Sequence, residues 1–489
     1  MHPEIRALFR AKPLAQLQQE GAASRLKRAL GVWDLIGLGI GAIIGAGIFA
    51  TVGTAAAGDA ARPGAGPGII LSFVLTAAVC GLAALCYAEL AALVPVSGSA
   101  YTYAYATLGE LTAWIIGWDL IIEYAVGNVA VAISWSGYFC EMLRGIGIVI
   151  PPWLTTDLRT GLATPEILAA APRIAGVPIM MNLPAAAIVL LITWVLVIGV
   201  KESSRLNAVM VITKLIVLVF FVIVGFNYVQ PANWKPFMPN GWHGIWAGAA
   251  IVFFAYIGFD AVSTAAEETR NPGRDLPRGI IGSLVISTVV YVAVAAVVTG
   301  MVPWFDLHTA EPLTVAMNRH HLLWASGIVA VGSVAAHTAV LLVFQLGQPR
   351  IFFSMARDGL LPAAFARVHP KYRTPHITTI LSGVLVAAFA SFANIEEMVD
   401  LTNIGTLFAF AIVSAGVIVL RRTHPEGVRP FRAPLVPFLP ALSVVACLFL
   451  AAGLPIVTWV RFGVWLLVGM AIYIGYGRRR SALRQQAES

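Results

Sequence analysis

The chain has 489 residues, of which 59% are hydrophobic and only 11% charged, with a formal net charge of +8 and a mean hydropathy of +0.83. A soluble domain carries about 25% charged residues, whereas one helix needs about 20 apolar residues to cross a bilayer core of about 30 Å. Apolar runs of that kind recur along nearly the whole chain, which excludes a soluble multi-domain enzyme and makes lipid the solvent.

The first 30 or so residues are basic and amphipathic and lack a short apolar stretch with a cleavage site. Targeting therefore falls to the first membrane helix rather than to a removable signal peptide. Apolar segments follow at roughly 33–54, 67–94, 104–142, 183–200, 207–229, 244–266, 279–302, 322–348, 376–393, 401–420, 435–454 and 459–477. The long 104–142 run is expected to be one tilted helix. Twelve segments put both termini on one side. With that side inside, the inside Lys and Arg run from Arg6, Arg10, Lys12, Arg25 and Lys27 through Lys201, Arg205, Arg270, Arg274, Arg278, Arg350, Arg357, Arg373 and Arg421 to Arg484. The outside set is only Arg62, Arg144, Arg159, Arg173, Lys235, Arg319 and Arg461. The bias follows the positive-inside rule and predicts two cytoplasmic termini in the inner membrane. The net charge then faces the cytoplasmic leaflet and calls for no nucleic-acid partner. Cys80, Cys86, Cys140 and Cys447 all lie in apolar runs and are expected to be small buried hydrophobes, not a disulfide frame or a metal site.

Two segments stand apart. The first carries Gly37, Gly39, Gly41, Gly45 and Gly47; the sixth reads Phe253-Phe254-Ala255-Tyr256-Ile257-Gly258-Phe259-Asp260, a glycine and an acid at mid-membrane depth. Five segments separate them, as in two inverted five-helix repeats that each open with a broken helix. Backbone unwinds in a membrane only where it lines protein or a wet cavity, so paired breaks point to a central substrate site. Tight helix packing is the other use of such glycines.

Gly41-Ala42-Ile43-Ile44-Gly45-Ala46-Gly47-Ile48-Phe49 resembles the first-helix signature of the amino acid–polyamine–organocation superfamily. Gly258-Phe259-Asp260 with Glu267-Glu268-Thr269-Arg270-Asn271-Pro272 is similar to its sixth-helix exit, and Met355-Ala356-Arg357-Asp358-Gly359-Leu360-Leu361-Pro362 to its eighth-helix end. Glu123 and the long loop at 143–182 resemble the bacterial relatives of the cationic amino acid transporters. The resemblance implies an all-α membrane protein of about twelve transmembrane helices, with a leucine-transporter-like 5+5 inverted repeat and helices 1 and 6 broken. The organisation would be a cytoplasmic N-terminus at 1–32, repeats at 33–229 and 244–420, two added helices at 435–477 and a cytoplasmic tail at 478–489.

An α-amino acid brings a carboxylate and an ammonium that cannot enter a dry membrane unpaired. In the family, amides at the first break meet the carboxylate, which implicates Gly45, Ala46 and Gly47, with Ile43 beside them; a half-helix N-terminus suits that charge. Ala46 stands where many relatives have Ser or Thr, so one side-chain hydrogen bond is missing there. Carbonyls freed at Phe254, Ala255 and Ile257 would take the ammonium, with Phe253 and Tyr256 as aromatic walls or gates unless they face lipid.

Lys214 lies about eight residues, or about 12 Å, into segment 5. The family places a lysine there in its proton-coupled members, its ammonium standing in for a sodium ion. Desolvation disfavours a charged amine, so such a group can give up and regain a proton; snorkelling to the headgroups is the plainer alternative. Glu123 would line the side-chain end of the pocket, or else form a protonated helix–helix hydrogen bond. His337 would tune selectivity, or be a buried neutral histidine satisfied by backbone. A charged His337 would repel cationic side chains, which ranks neutral substrates first. Asp260 is expected to cap the half-helix after it, with Ser263 as local partner, or else to hold the unwound stretch or join the proton path, and Glu267 and Glu268 to pair with Arg270 or Arg357 in an inner gate. The function implied is a proton-coupled symporter importing neutral, and also cationic, L-amino acids. An exchanger is the alternative within transport, and an amino-acid-gated channel or nutrient receptor the alternative outside it. The proton is the only coupling partner expected besides substrate and lipid, with room for a small single-span accessory subunit. No nucleotide, nucleophile-elbow or metal-ligand spacing argues for an enzyme.

Overall fold

The computed structural model describes residues 9–17, 28–96, 98–199, 204–372, 374–427 and 429–483. Arg6, Arg25, Lys27, Lys201, Arg373 and Arg484, and the side chain of Arg205, lie outside the described residues.

The first apolar segment folds as two half-helices. Helix α1 (Val32–Ile43) stops where Ile44 turns to an extended ψ of 106°. Past Gly45 and Ala46 the chain resumes as a π-helical turn (Gly47–Thr51) that runs into α2 (Val52–Ala57), bent by 43° from α1. Then come α3 (Ile69–Leu93), α4 (Ser99–Thr107) and α5 (Glu110–Ile121), which passes through a π-helical turn (Ile122–Val126) into α6 (Gly127–Gly145). The expected 104–142 helix thus starts later, at Glu110. Leu108 and Gly109 interrupt the helix, Gly109 at φ +96°, a conformation glycine adopts without strain. A Cβ there would sit 2.4 Å from the Phe9 carbonyl carbon.

A loop carrying the two-residue strands β1 (Arg173–Ile174) and β2 (Val177–Pro178) leads to α7 (Leu183–Ile198) and α8 (Ser204–Phe226). Asn182 caps α7 through the Ala185 amide, with proline in the first turn. The sixth segment is also interrupted: α9 (Gly241–Val252), a 3₁₀ turn (Phe253–Tyr256), an irregular stretch with Gly258 at φ +114°, and the single turn α10 (Ala261–Thr264). After it come α11 (Pro272–Met301), α12 (Leu323–Arg357), α13 (His376–Phe392), α14 (Ile395–Thr423), α15 (Phe438–Ala451) and α16 (Ile456–Ile472). Among the described residues, eight helical stretches are long and apolar enough to cross a membrane. The bent α1–α2 pair makes a ninth, and α7, α13 and α15 are shorter apolar helices.

Helix α8 shows how side chains sort. Ile212, Ile216, Val219 and Ile223 recur at helical spacing and are about half exposed or more, as a face turned to acyl chains must be, whereas Lys214, Leu218 and Phe221 on the other side are fully buried. Helix α11 packs on α3 and α1, α12 on α6 and α8, and α13 on α7. The bundle has an arginine-rich face, where Arg421 and Arg429 engage Glu89, and an opposite loop face, where Arg62 reaches Asp400 and His308 reaches Glu396.

The two breaks touch. A Cβ on Gly47 would lie 2.1 Å from the Ala255 Cα, and one on Gly258 2.8 Å from the Ala42 carbonyl carbon. Gly37, in the same glycine run, would meet nothing within 4 Å. Overpacking costs about 1–3 kcal/mol. Gly47→Ala should therefore lower the thermal unfolding midpoint by several degrees, followed by intrinsic fluorescence in detergent, while Gly37→Ala leaves it unchanged.

Candidate functional site

Unwinding two helices at mid-bundle strips backbone groups of their partners, and unpaired groups in a dry interior are costly. Three side chains answer the freed carbonyls. The Lys214 Nζ donates to the Gly41 and Ile44 carbonyls, both at 2.8 Å. These are the last carbonyls of α1, which lack helical partners and carry the negative end of its dipole, so an ammonium is favoured there. Lys214 is therefore fully buried and turned to the first break, which disposes of snorkelling. The Tyr291 hydroxyl of α11 lies 3.0 Å from the Ile43 carbonyl and 2.8 Å from that of Ala255, one donor within reach of both breaks. The Tyr138 hydroxyl donates to the Phe49 carbonyl at 2.6 Å. Among the described residues the N–H groups of Gly45 and Ala46 donate to no protein acceptor.

The other predicted residues gather around these breaks. Glu123 is buried in the π-helical turn of α5–α6, a feature frequent at functional sites. Thr406 faces it, and Asp260 and Asp119 are its acidic neighbours. His337 is buried with both ring nitrogens occupied: Nδ1 donates to the Ser333 carbonyl at 2.7 Å, so in the neutral ring Nε2 accepts from the Ser134 hydroxyl at 2.7 Å. Its ring lies 5.5 Å from that of Phe49, just past the first break.

Phe253, Phe254 and Tyr256 all face protein. Phe253 packs 5.8 Å from Phe410, and Tyr256 sits between Phe73 and Tyr291 with its hydroxyl on the Phe73 carbonyl at 3.0 Å, which ties the sixth segment to α3. Of the carbonyls expected to be freed, that of Ala255 is met by Tyr291, and that of Phe254 accepts from Ile257 N–H at 3.4 Å. Asp260 departs from expectation: although it precedes α10, its side chain makes no cap. Its Oδ2 instead accepts from the Ser99 hydroxyl of α4 at 3.3 Å, because its backbone is already helical (ψ −27°) and its carboxylate points across to that neighbour.

Three cavities approach this layer, two from one face and one from the other. On the arginine-rich face, one of about 390 Å³ lies among Lys12, Glu267, Arg350, Arg357 and Asp358. It shares Tyr101 and Arg350 with one of about 280 Å³ that reaches Leu38, Ser99, Tyr124 and Gly347. On the loop face, a cavity of about 520 Å³ descends to Ala50, Ile133 and Ile251. Arg62 closes its rim, bonded to Asp400 at 2.8 Å and Asp59 at 2.6 Å. The buried breaks lie between the two sets of lining residues. Glu311 also borders the loop-face cavity, pressed on the α6 backbone where a Cβ on Gly137 would meet its carboxylate at 2.9 Å. That burial pushes its carboxyl up to about 7; Glu141 adds to the rise and Arg144 opposes it.

Sequence reasoning missed Tyr291, Tyr138 and the Arg62 cluster. The signal for Tyr291 was present: a hydroxyl inside an apolar run must find an acceptor.

The family model described as amino acid permease matches residues 30–475. The chain is 47% identical to the branched-chain amino acid permease BcaP of Bacillus subtilis (strain 168), over 98% of this chain and 99% of that one. It is 46% identical to the methylthioribose transporter of the same organism, over 98% and 100%. With cationic amino acid transporter 4 of Homo sapiens the identity is 32%, over 98% of this chain and 91% of the other.

Two tests follow from the geometry. Tyr291→Phe removes the hydroxyl shared by the breaks and should cost about 0.5–1.5 kcal/mol or more in thermal stability, whereas Tyr228→Phe should cost little. A carboxyl whose pKa is raised holds its proton more tightly in the folded chain. Its contribution to stability is thus full below pH 4.5, the ordinary carboxylate value, and is lost as pH rises through about 7. Glu311→Gln should therefore gain stability over the parent at pH 8, on the order of 1–3 kcal/mol, and gain none at pH 4.

Proposed function

The chain belongs to the amino acid permease family, which comprises transporters and not enzymes, and from that premise we propose that it is a proton-coupled symporter of neutral L-amino acids. In this proposal it has about twelve transmembrane helices, with the repeats 33–229 and 244–420 inverted about the central site and both termini in the cytoplasm. The packing of α3 with α11, α6 with α12 and α7 with α13 supports the repeat, since each pair joins counterpart helices of the two halves. The gathering of arginines on one face supports the orientation.

The observation that carries the coupling is the pair of 2.8 Å hydrogen bonds from Lys214 to the Gly41 and Ile44 carbonyls. Protonated, the amine brings a full charge to the negative end of α1 and holds the break in shape. Deprotonated, it keeps N–H donors but loses the charge–dipole attraction. The N–H groups of Gly45 and Ala46, the next along the chain, are then set to take a substrate carboxylate, with Ile43 and Gly47 beside them. The substrate ammonium would find carbonyl oxygens of the 253–257 turn, where Ile257 is the one left without a partner named above. Binding of substrate and of proton thus stabilise the same stretch of backbone, and loss of either towards the arginine-rich face frees it to release the other. Phe253 and Phe254 open the turn, and Asp260 and Glu267 line the way out.

His337, buried with its ring nitrogens engaged by Ser333 and Ser134, offers no charge to a side chain in its neutral form. Together with Val340 against Gly45 it favours apolar substrates, in keeping with the branched-chain permease among the relatives. The similar identity to a methylthioribose transporter supports a second substrate, whose thioether end suits the same apolar surroundings but whose ribose has no carboxylate for the amides.

In sealed vesicles with an imposed inward proton gradient, leucine, valine or isoleucine should accumulate, arginine should accumulate less, and methylthioribose tests the second substrate. Lys214→Gln should abolish gradient-driven accumulation. A variant that accumulated substrate as the parent does would rule out the coupling role, and counterflow without any gradient response in the parent would make the chain an exchanger.

A further inference from the structure

On the arginine-rich face, Arg274 and Arg278 stand one turn apart at the start of α11, with Arg270 just before it, and all three are exposed. They border a cavity of about 890 Å³ whose far wall is Pro430 and Phe431. Among the described residues no ion pair or side-chain hydrogen bond engages the three guanidinium groups. The acid in the same turn, Asp275, is buried and does not line the cavity. Three cations beside a hollow, without an anion, describe half of a binding site.

The other half lies along the same helix. Steps of three and four residues from Arg278 lead to Ile281 and Gly282, and four-residue steps from Ile281 to Val285 and Val289, so one face of α11 passes from guanidinium to hydrocarbon within about three turns. Ile281 lines the basic cavity and also a second, almost wholly apolar groove of about 470 Å³ between α3 and α11. Val285 and Val289 are more than half exposed along it. Gly81 forms part of the opposite wall, and a Cβ there would meet nothing within 4 Å.

The geometry points to a binding site for one anionic phospholipid, its phosphate held by Arg274 and Arg278 with Arg270 at the rim, and an acyl chain laid in the α3–α11 groove past Gly81. A soluble anion would use the head of this cleft and leave the groove unfilled. A lipid with a zwitterionic headgroup would fill the groove and present a phosphate, but its own ammonium would leave the net charge of the guanidinium groups uncompensated. Only an anionic lipid matches both, and guanidinium groups suit phosphate geometry. Assignment to the cytoplasmic leaflet rests on the orientation proposed above; the binding itself does not. Because α11 also packs on α1, a lipid wedged between α3 and α11 would bear on the helix that carries the first break.

The purified full chain in detergent can be titrated with phosphatidylglycerol, phosphatidylethanolamine and inorganic phosphate at matched ionic strength, read by native mass spectrometry and thermal shift. One phosphatidylglycerol should bind and raise the unfolding midpoint, with phosphatidylethanolamine and phosphate weaker by on the order of tenfold or more. Arg274→Gln with Arg278→Gln should weaken phosphatidylglycerol by on the order of tenfold. Gly81→Phe, which blocks the groove and leaves the arginines intact, should weaken it as well. Arg422→Gln, an exposed arginine on the same face outside the cleft, should change nothing. Equal binding of the two lipids, equal stabilisation by phosphate, an undiminished response in Gly81→Phe, or an equal loss in Arg422→Gln would each overturn the site. Uptake driven by a proton gradient in the same preparations reads the transport proposal separately.

Discussion

In a dry interior every peptide N–H and C=O has to be paired, and this chain unwinds two helices there. The carbonyls released at the first break are taken by Lys214 at Gly41 and Ile44, by Tyr291 at Ile43, by Thr51 at Gly47 and by Tyr138 at Phe49. What remains is a short run of amides, Gly45 and Ala46, with no protein acceptor. An anion is what that remainder recognises. In the proposed function, the substrate carboxylate would complete a hydrogen-bond scheme that the protein leaves unfinished at one point.

The same demand explains how ionisable groups come to lie inside. A lysine at this depth is tolerated because the end of α1 supplies two carbonyls and a dipole, and because the spacing of Ile212, Ile216, Val219 and Ile223 turns the opposite side of α8 to lipid. Arg62 is buried between Asp59 and Asp400 at the loop face, and Glu89 takes Arg421 and Arg429 at the other. Such pairs contribute little net stability but fix which helices meet. Between these two ties lie the cavities, each ending short of the breaks, an arrangement suited to opening one side at a time.

Much of this was legible in the residues. Hydropathy located the apolar segments because each had to be long enough for lipid, and the glycine run with Gly258-Phe259-Asp260 located both breaks because backbone cannot open there without cause. Lys214 stood out as a charge where none is cheap. What stayed hidden depended on contacts across the bundle. Helix α4 ends at Leu108-Gly109 through a backbone turn, Gly109 at φ +96°, that hydropathy does not register, so 104–142 looked continuous. Asp260 looked like a cap because pattern carries no direction, and its carboxylate turned to Ser99. Tyr291 gave no motif, since its partners lie in segments far apart in sequence. The π-helical turn at Glu123 left no mark in composition, because it is one extra residue in an otherwise helical run.

In the proposed cycle one proton, carried by Lys214, moves with each zwitterion. The reversal potential of substrate-induced current in vesicles measures that ratio directly. With a neutral amino acid, we expect the reversal potential to move by about 59 mV for each pH unit across the membrane and, at fixed pH, by about 59 mV for each tenfold change in the substrate gradient, the value for one charge per substrate. A current whose reversal potential ignores the pH difference, or an uptake that carries no current, would contradict it.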